Sequence, residues 1–164
     1  MNFDIKHLSY TDINGKSFEE FKSFLDSLDE ERKTWSFDKQ TFKDEKEWYD
    51  KISERKSNCM FLLYKGKIIG FSNGYVSAKN QTWMNGQEYQ VYYELSFVVK
   101  KEYQGKGLGT QILLIVERKI RENPNVRITD EKGENPSRGT IVEMVAKHYS
   151  DNIASHKAFL KAGW

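Results

Sequence analysis

Between Glu94 and Thr110 the chain reads Glu-Leu-Ser-Phe-Val-Val-Lys-Lys-Glu-Tyr-Gln-Gly-Lys-Gly-Leu-Gly-Thr. Gly105, Gly107 and Gly109 alternate here, just after an apolar run of strand length and just before a stretch with helical spacing. Glycine lets a backbone take positive φ and approach a ligand closely. Free N–H groups at a helix start, aided by the helix dipole, bind anions. The run Gln104-Gly105-Lys106-Gly107-Leu108-Gly109 therefore reads as a cradle for phosphate or pyrophosphate. A P-loop needs Lys-Ser or Lys-Thr after its last glycine, which this chain lacks. A dinucleotide fingerprint spaces its glycines Gly-x-Gly-x-x-Gly in an early parallel unit, whereas here they run Gly-x-Gly-x-Gly after hairpin-like segments. On the glycines alone, a strand-to-helix turn that binds nothing stays open.

The same stretch holds one candidate for proton transfer. Glu94 stands inside an otherwise apolar strand, on the face shared with Tyr92 and Ser96 by the period of two. Burial there raises a carboxyl pKa toward the range useful to a general base. A glutamate paired with Lys or Arg, or turned to solvent near the strand start, accounts for it equally well. Cys59 opens the apolar run Cys59-Met60-Phe61-Leu62-Leu63-Tyr64 and reads as a small buried hydrophobe.

The bulk composition limits the alternatives. At 164 residues the chain fits one domain with a sizeable core, and 38% hydrophobic residues is too apolar for a disordered chain. Lys and Arg total 26 against 24 Asp and Glu, so no basic excess points to a dedicated nucleic-acid partner. A single cysteine excludes an internal disulfide framework and a cysteine-rich zinc site, and no metal is expected. The first residues, Met1-Asn2-Phe3-Asp4-Ile5-Lys6, do not resemble a secretory signal. No stretch approaches the roughly 20 apolar residues of a membrane span. A cytoplasmic protein without membrane contact is the expectation.

The elements that must position the turn follow from periodicity. Ile5 and Leu8 suit a short opening strand. Ser17 with Glu20 forms a capping-box pattern before Phe18, Phe21, Phe24, Leu25 and Leu28, which share a helix face. A second helix is expected from about Lys43 to Lys56, with Trp48, Tyr49 and Ile52 inward. Cys59 to Tyr64, the turn Lys65-Gly66 and Lys67 to Phe71 read as a hairpin, with strand character to about Val76. Ser77 to Gln87 reads as a turn region, followed by a long strand from Glu88 to Val99. A helix from Gly107 to Arg121, a long surface loop from Glu122 to Gly139, a strand from Thr140 to Ala146 and a helix from Asn152 to Lys161 complete the order. That is an α/β (α+β) domain over residues 1–164 with a mixed, mostly antiparallel sheet flanked by helices.

Gln104, Gly107 and Gly109 after a strand ending Phe-Val-Val resemble the acyl-CoA signature of the GNAT N-acyltransferase superfamily, Gln/Arg-x-x-Gly-x-Gly/Ala. Downstream, Asn152, Phe159, Lys161, Gly163 and Trp164 resemble that family's last helix, Asn…Tyr/Phe-x-Lys-x-Gly-Phe, and the element order is also the family's. The resemblance covers essentially the whole chain. It implies an N-acetyltransferase moving an acetyl group from acetyl-CoA to a primary amine. It places Phe97, Val98 and Val99 along the pantetheine arm, and Gly105, Lys106, Gly107, Leu108, Gly109 and Thr110 around the pyrophosphate. Asn152 falls where a side-chain amide meets the cofactor arm, although a helix N-cap explains it equally. Phe159 falls where the family often has a tyrosine near the thioester sulfur, and Glu94 near a base or water-ordering acid.

Two departures carry expectations of their own. Phe159 cannot donate a proton to a leaving thiolate, which leaves Ser155, His156 and Tyr149 as substitutes. The family continues past its Gly-Phe pair with further strands, whereas this sequence stops at Trp164. The 140–146 strand is therefore expected to present an open edge suited to homodimerisation, unless the 122–139 loop covers it. Trp35, Trp48, Tyr75, Trp83, Asp29, Glu30 and Glu31 could frame a cationic acceptor, or could be core and solvated charge. A module that binds acyl-CoA without turnover is the competing function.

Overall fold

The computed structural model describes residues 3–28, 44–54, 59–84, 88–128, 137–146 and 152–164. The segments holding Trp35, Asp29, Glu30, Glu31, the Asn85-Gly86 pair and Tyr149 lie outside the described residues. The elements are β1 (Leu8–Asp12), α1 (Phe18–Asp26), α2 (Glu45–Glu54), β2 (Met60–Tyr64), β3 (Lys67–Met84) and β4 (Glu88–Val99). They continue with α3 (Leu108–Glu122), β5 (Asn125–Ile128), β6 (Ser137–Ala146) and α4 (Ile153–Ala162). One sheet orders its strands β1-β2-β3-β4-β6-β5, with β4 and β6 parallel and every other neighbouring pair antiparallel.

Each expected device has a visible cause. Ser17 Oγ accepts from the Glu20 N–H at 3.2 Å and the Glu20 carboxylate accepts from the Ser17 N–H at 3.0 Å, so the capping box at α1 is complete. Lys65 and Gly66 both take positive φ, 50° and 76°, which suits the twist of the β2–β3 hairpin. All five residues of β2 are buried, as a continuous apolar run between two covering layers should be. On one face Phe21, Phe24, Leu25 and Trp48 of α1 and α2 pack on Phe61, Phe71 and Val98. On the other, Leu108, Ile112, Leu113, Val116 and Ile120 of α3, with Phe159 of α4, pack on Leu62, Tyr93, Leu95 and Val99.

Four expectations need correction. Ile5 belongs to a 3-10 turn, Ile5–His7, held by the Asp4 carboxylate accepting from the Lys6 N–H at 3.0 Å; its side chain is exposed, and the strand begins at Leu8. Residues 77–84 are strand and not turn, because β3 runs on beside β4 to pair Met84 with Glu88, with a register shift between Val76 and Gln81. The 122–139 segment is no continuous loop: Asn125–Ile128 forms β5, where Val126 and Ile128 have the β-branched alternation of a strand. Finally, β6 starts at Ser137 and not at Thr140, and β5 pairs with Ser137 to Thr140, so of the expected 140–146 edge only Thr140 has this outer partner. No helix among the described residues is long and apolar enough to cross a membrane.

Candidate active site

Strand β4 leads directly into the glycine turn. Val98 is buried against α1 and α2, while its neighbour Val99 is buried against α3 and α4. The end of the strand is thereby anchored in both layers. Beyond it lies the 3-10 turn Lys101–Tyr103, and the Gln104 side-chain amide donates to the Val99 carbonyl at 2.8 Å. Gln104 thus ties the turn back onto the strand end with its side chain.

The three glycines are there for two different reasons. Gly105 and Gly107 have φ of 74° and 77°, and a Cβ at either would meet no atom within 4 Å. These two answer to backbone conformation and leave open space at the turn. Gly109 answers to packing: a Cβ there would stand 2.8 Å from the Phe97 ring. Gly107 caps α3 without a side-chain hydrogen bond, and the first helical bond runs from the Gln111 N–H to the Gly107 carbonyl at 3.1 Å. The N–H groups of Leu108, Gly109 and Thr110 therefore have no intrahelical acceptor. Leu108 itself is buried and anchors the helix start, so only its backbone belongs to the turn surface. Lys106 is exposed and donates to the Glu102 carbonyl at 2.7 Å.

Next to the turn the sheet opens. β4 stays paired with β3 as far as Val99 opposite Gly70, but its parallel pairing with β6 ends at Leu95 opposite Ala146. The Lys100 N–H donates toward β3, to the Ile69 carbonyl at 2.9 Å. By the strand's alternation, the backbone groups of Phe97 and Val99 then point to the other side, where β6 has stopped. Among the described residues no strand faces β4 there beyond Leu95. The gap offers backbone donors and acceptors for an extended, amide-bearing arm, and the turn at its end offers N–H groups for phosphates. The residues present fit an acyl-CoA.

Phe97 and Phe159 meet edge to face at 5.6 Å, and Phe159 leans on Trp164 at 5.8 Å, so this aromatic pair closes the α4 side. Thr110 Oγ1 lies 3.5 Å from the Ala158 carbonyl, at the crossing of α3 and α4. Asn152 Oδ1 accepts from the Ser155 N–H at 3.1 Å and so caps α4. Ser155 is half-buried and His156 exposed.

Glu94 sits one residue before the parallel ladder ends, opposite Tyr75 on β3 and Val145 on β6. It is half-buried, and by alternation it shares the α1–α2 face with Ser96 and Val98, opposite to the buried Tyr93 and Leu95. Ser96 Oγ lies 3.4 Å from the Asn73 carbonyl, and Asn73 Oδ1 accepts from the buried Cys59 Sγ at 2.8 Å. Cys59 is thus a packed, hydrogen-bonded thiol with no opening to a substrate. Sequence reasoning passed over Tyr103, whose ring lies 5.6 Å from that of Tyr64 beside the turn. Its only signal was adjacency to Gln104. Burial pushes the Tyr103 phenol above the usual tyrosine range, with Glu102 and Tyr64 adding to the rise.

A mixed sheet between two helical layers thus parts at its parallel pair, beside a helix start that has no side-chain cap. The chain belongs to the acetyltransferase (GNAT) family, whose model it matches over residues 22–164. Among solved structures it is similar to an acetyltransferase of the GNAT family from Streptococcus pneumoniae, at 18% identity and a TM-score of 0.60, covering 95% of this chain and 82% of that one. It is also similar to ribosomal-protein-alanine N-acetyltransferase from Brucella melitensis biovar Abortus 2308, at 11% identity and 0.57, covering 94% and 87%. A third is aminoglycoside N-acetyltransferase AAC(6')-Iy in complex with CoA, at 14% identity and 0.55, covering 96% and 90%. At these identities the likeness is one of fold. No curated protein sequence matches the chain.

Proposed function

We propose that this single-domain protein is an N-acetyltransferase that moves an acetyl group from acetyl-CoA to a primary amine, on a small molecule or a protein. The observation that carries the reading is the join of the β4–β6 gap to the turn at Gly105 and Gly107. The CoA complex of the structural relative supports acetyl-CoA as co-substrate. In this reading the N–H groups of residues 105–110 hold the pyrophosphate, and the β4 backbone at Phe97 and Val99 aligns the arm. Glu94 takes the proton from the ammonium, directly or through water, which frees the nitrogen lone pair. The nitrogen then adds to the thioester carbon, and a β4 N–H donates to the developing oxyanion. Collapse of that tetrahedral intermediate breaks the C–S bond, and the second nitrogen proton passes to the departing thiolate or to water, leaving the amide and CoA. A single cysteine, buried and hydrogen-bonded to Asn73, and use of acyl-CoA suit a cytoplasmic protein. The part of β6 beyond Thr140 has no outer strand partner among the described residues, and we propose it as the contact of a homodimer.

A second reading, binding of acyl-CoA without turnover, draws on Phe159, which is buried and carries no hydroxyl to protonate the thiolate. An amine panel incubated with acetyl-CoA and read as free thiol release separates the two. Turnover with any amine supports the transferase, and binding without turnover supports the module. The cradle has its own test. Acetyl-CoA is expected to raise the melting temperature of the wild type and not that of Gly107→Glu, whose carboxylate would occupy the phosphate position. An equal rise in both would overturn the assignment.

A further inference from the structure

The turn from Gln104 to Gly107 is exposed and, although Gln104 and Lys106 bond to nearby carbonyls, its two glycines give it much conformational freedom to lose on ordering. Its surroundings supply what it lacks. Three rings from three distant segments meet beside it: Phe3 stacks on Tyr64 at 5.0 Å, Tyr103 tilts on Tyr64 at 5.6 Å, and Phe3 meets Tyr103 edge to face at 6.2 Å. Tyr64 is fully part of the core at the end of β2, while Phe3 and Tyr103 are half-buried on top of it. The Lys106 ammonium lies 5.9 Å from both the Phe3 and the Tyr103 ring centroids. The residue before the turn and the residue at its apex are thus fastened to one aromatic platform. The platform is itself seated on the sheet, and the Asp4 N–H donates to the Tyr64 hydroxyl at 3.3 Å.

We infer that Tyr103, seated on Tyr64 and Phe3, is a positioning residue that holds the glycine turn in its ligand-ready shape before acetyl-CoA arrives. The inference rests on the cradle reading above and goes beyond it, since the platform stands beside the turn and contributes none of the turn's backbone N–H groups. A turn ordered in advance loses less freedom on binding, so the platform acts on affinity for the nucleotide end of the ligand. It leaves the proton transfer at Glu94 alone, because the Glu94 side chain lies on the other face of the sheet. The contacts that join Tyr103 to Tyr64, Phe3 and Lys106 are ring contacts, so a variant that keeps the ring and removes the hydroxyl tests whether the ring carries the effect.

The experiment is calorimetric titration of the full chain with CoA, paired with steady-state kinetics on an amine accepted by the wild type. Tyr103→Ala is expected to raise the CoA Kd and the acetyl-CoA KM about tenfold, the order of effect that ordering one or two residues carries. Its kcat and amine KM are expected to stay at wild-type values, and Tyr103→Phe to restore binding. Phe3→Ala, which alters the platform from a segment remote from the turn, is expected to move the same two constants in the same direction. A CoA Kd within twofold of wild type in both alanine variants would overturn the inference and leave the cradle standing. So would a fall in kcat at unchanged Kd. Absence of CoA binding by the wild type would overturn both.

Discussion

Gly105, Gly107 and Gly109 were legible in the sequence as one motif, yet the structure separates them by physical role. Two answer to φ and one to the Phe97 ring of β4, and spacing cannot distinguish these demands because the contact forms only when α3 folds back against that strand. Gly109→Ala is expected to cost about 1–3 kcal/mol in urea denaturation by pushing Phe97 off its contact with Phe159. Gly105→Ala meets no atom and is expected to cost only the left-handed backbone strain, roughly 1–2 kcal/mol. Glu94 was legible as an odd carboxylate in an apolar strand, and the structure places it half-buried at the end of the parallel ladder. If it is the base, Glu94→Gln lowers kcat roughly 100- to 10,000-fold with the acetyl-CoA Kd unchanged. Near-normal turnover by that variant at neutral pH would assign the proton to another group.

Elements with local causes were read well, and those made by long-range pairing were not. The α1 start was legible because Ser17 and Glu20 satisfy each other's backbone within one turn. Ser17→Ala is expected to lower stability by about 1 kcal/mol, measured as a shift of the urea midpoint. The Glu20 carboxyl is held below its usual range, first by its hydrogen bond to Lys16 and next by that to the Ser17 N–H. A depressed carboxyl stabilises the fold above its unfolded pKa and loses that contribution as pH falls through the folded value. The stability difference between wild type and Glu20→Gln is therefore expected to be largest at neutral pH and to vanish in acid. The second half of β3 and the whole of β5 were missed because polar residues there gain their conformation from the partner strand, Val91 to Glu88 in one case and Ser137 to Thr140 in the other.

For the molecule as a whole, a mixed sheet flanked by helices was visible in the periodicities, whereas the division of the core into two layers and the parting of β4 from β6 were not. That gap depends on where one ladder ends, and a ladder's end leaves no signature in residue type. The outer edge of β6 past Thr140 gives the proposed homodimer its test. Sedimentation at micromolar concentration is expected to show self-association, and Met144→Lys to shift it toward monomer. A wild type that stays monomeric would overturn the homodimer.

The anchoring of β4 in both layers, next to a gap on one side, has a consequence for how solvent reaches it. Val98 and Lys100 turn their amides toward β3, while Phe97 and Val99 turn theirs toward the gap. Deuterium uptake in the free protein should therefore alternate residue by residue, slow at 98 and 100 and fast at 97 and 99, although all four belong to one firmly held strand. A ligand lying along the gap would quench the fast pair and erase the alternation. The strand would report occupancy of its gap without having moved.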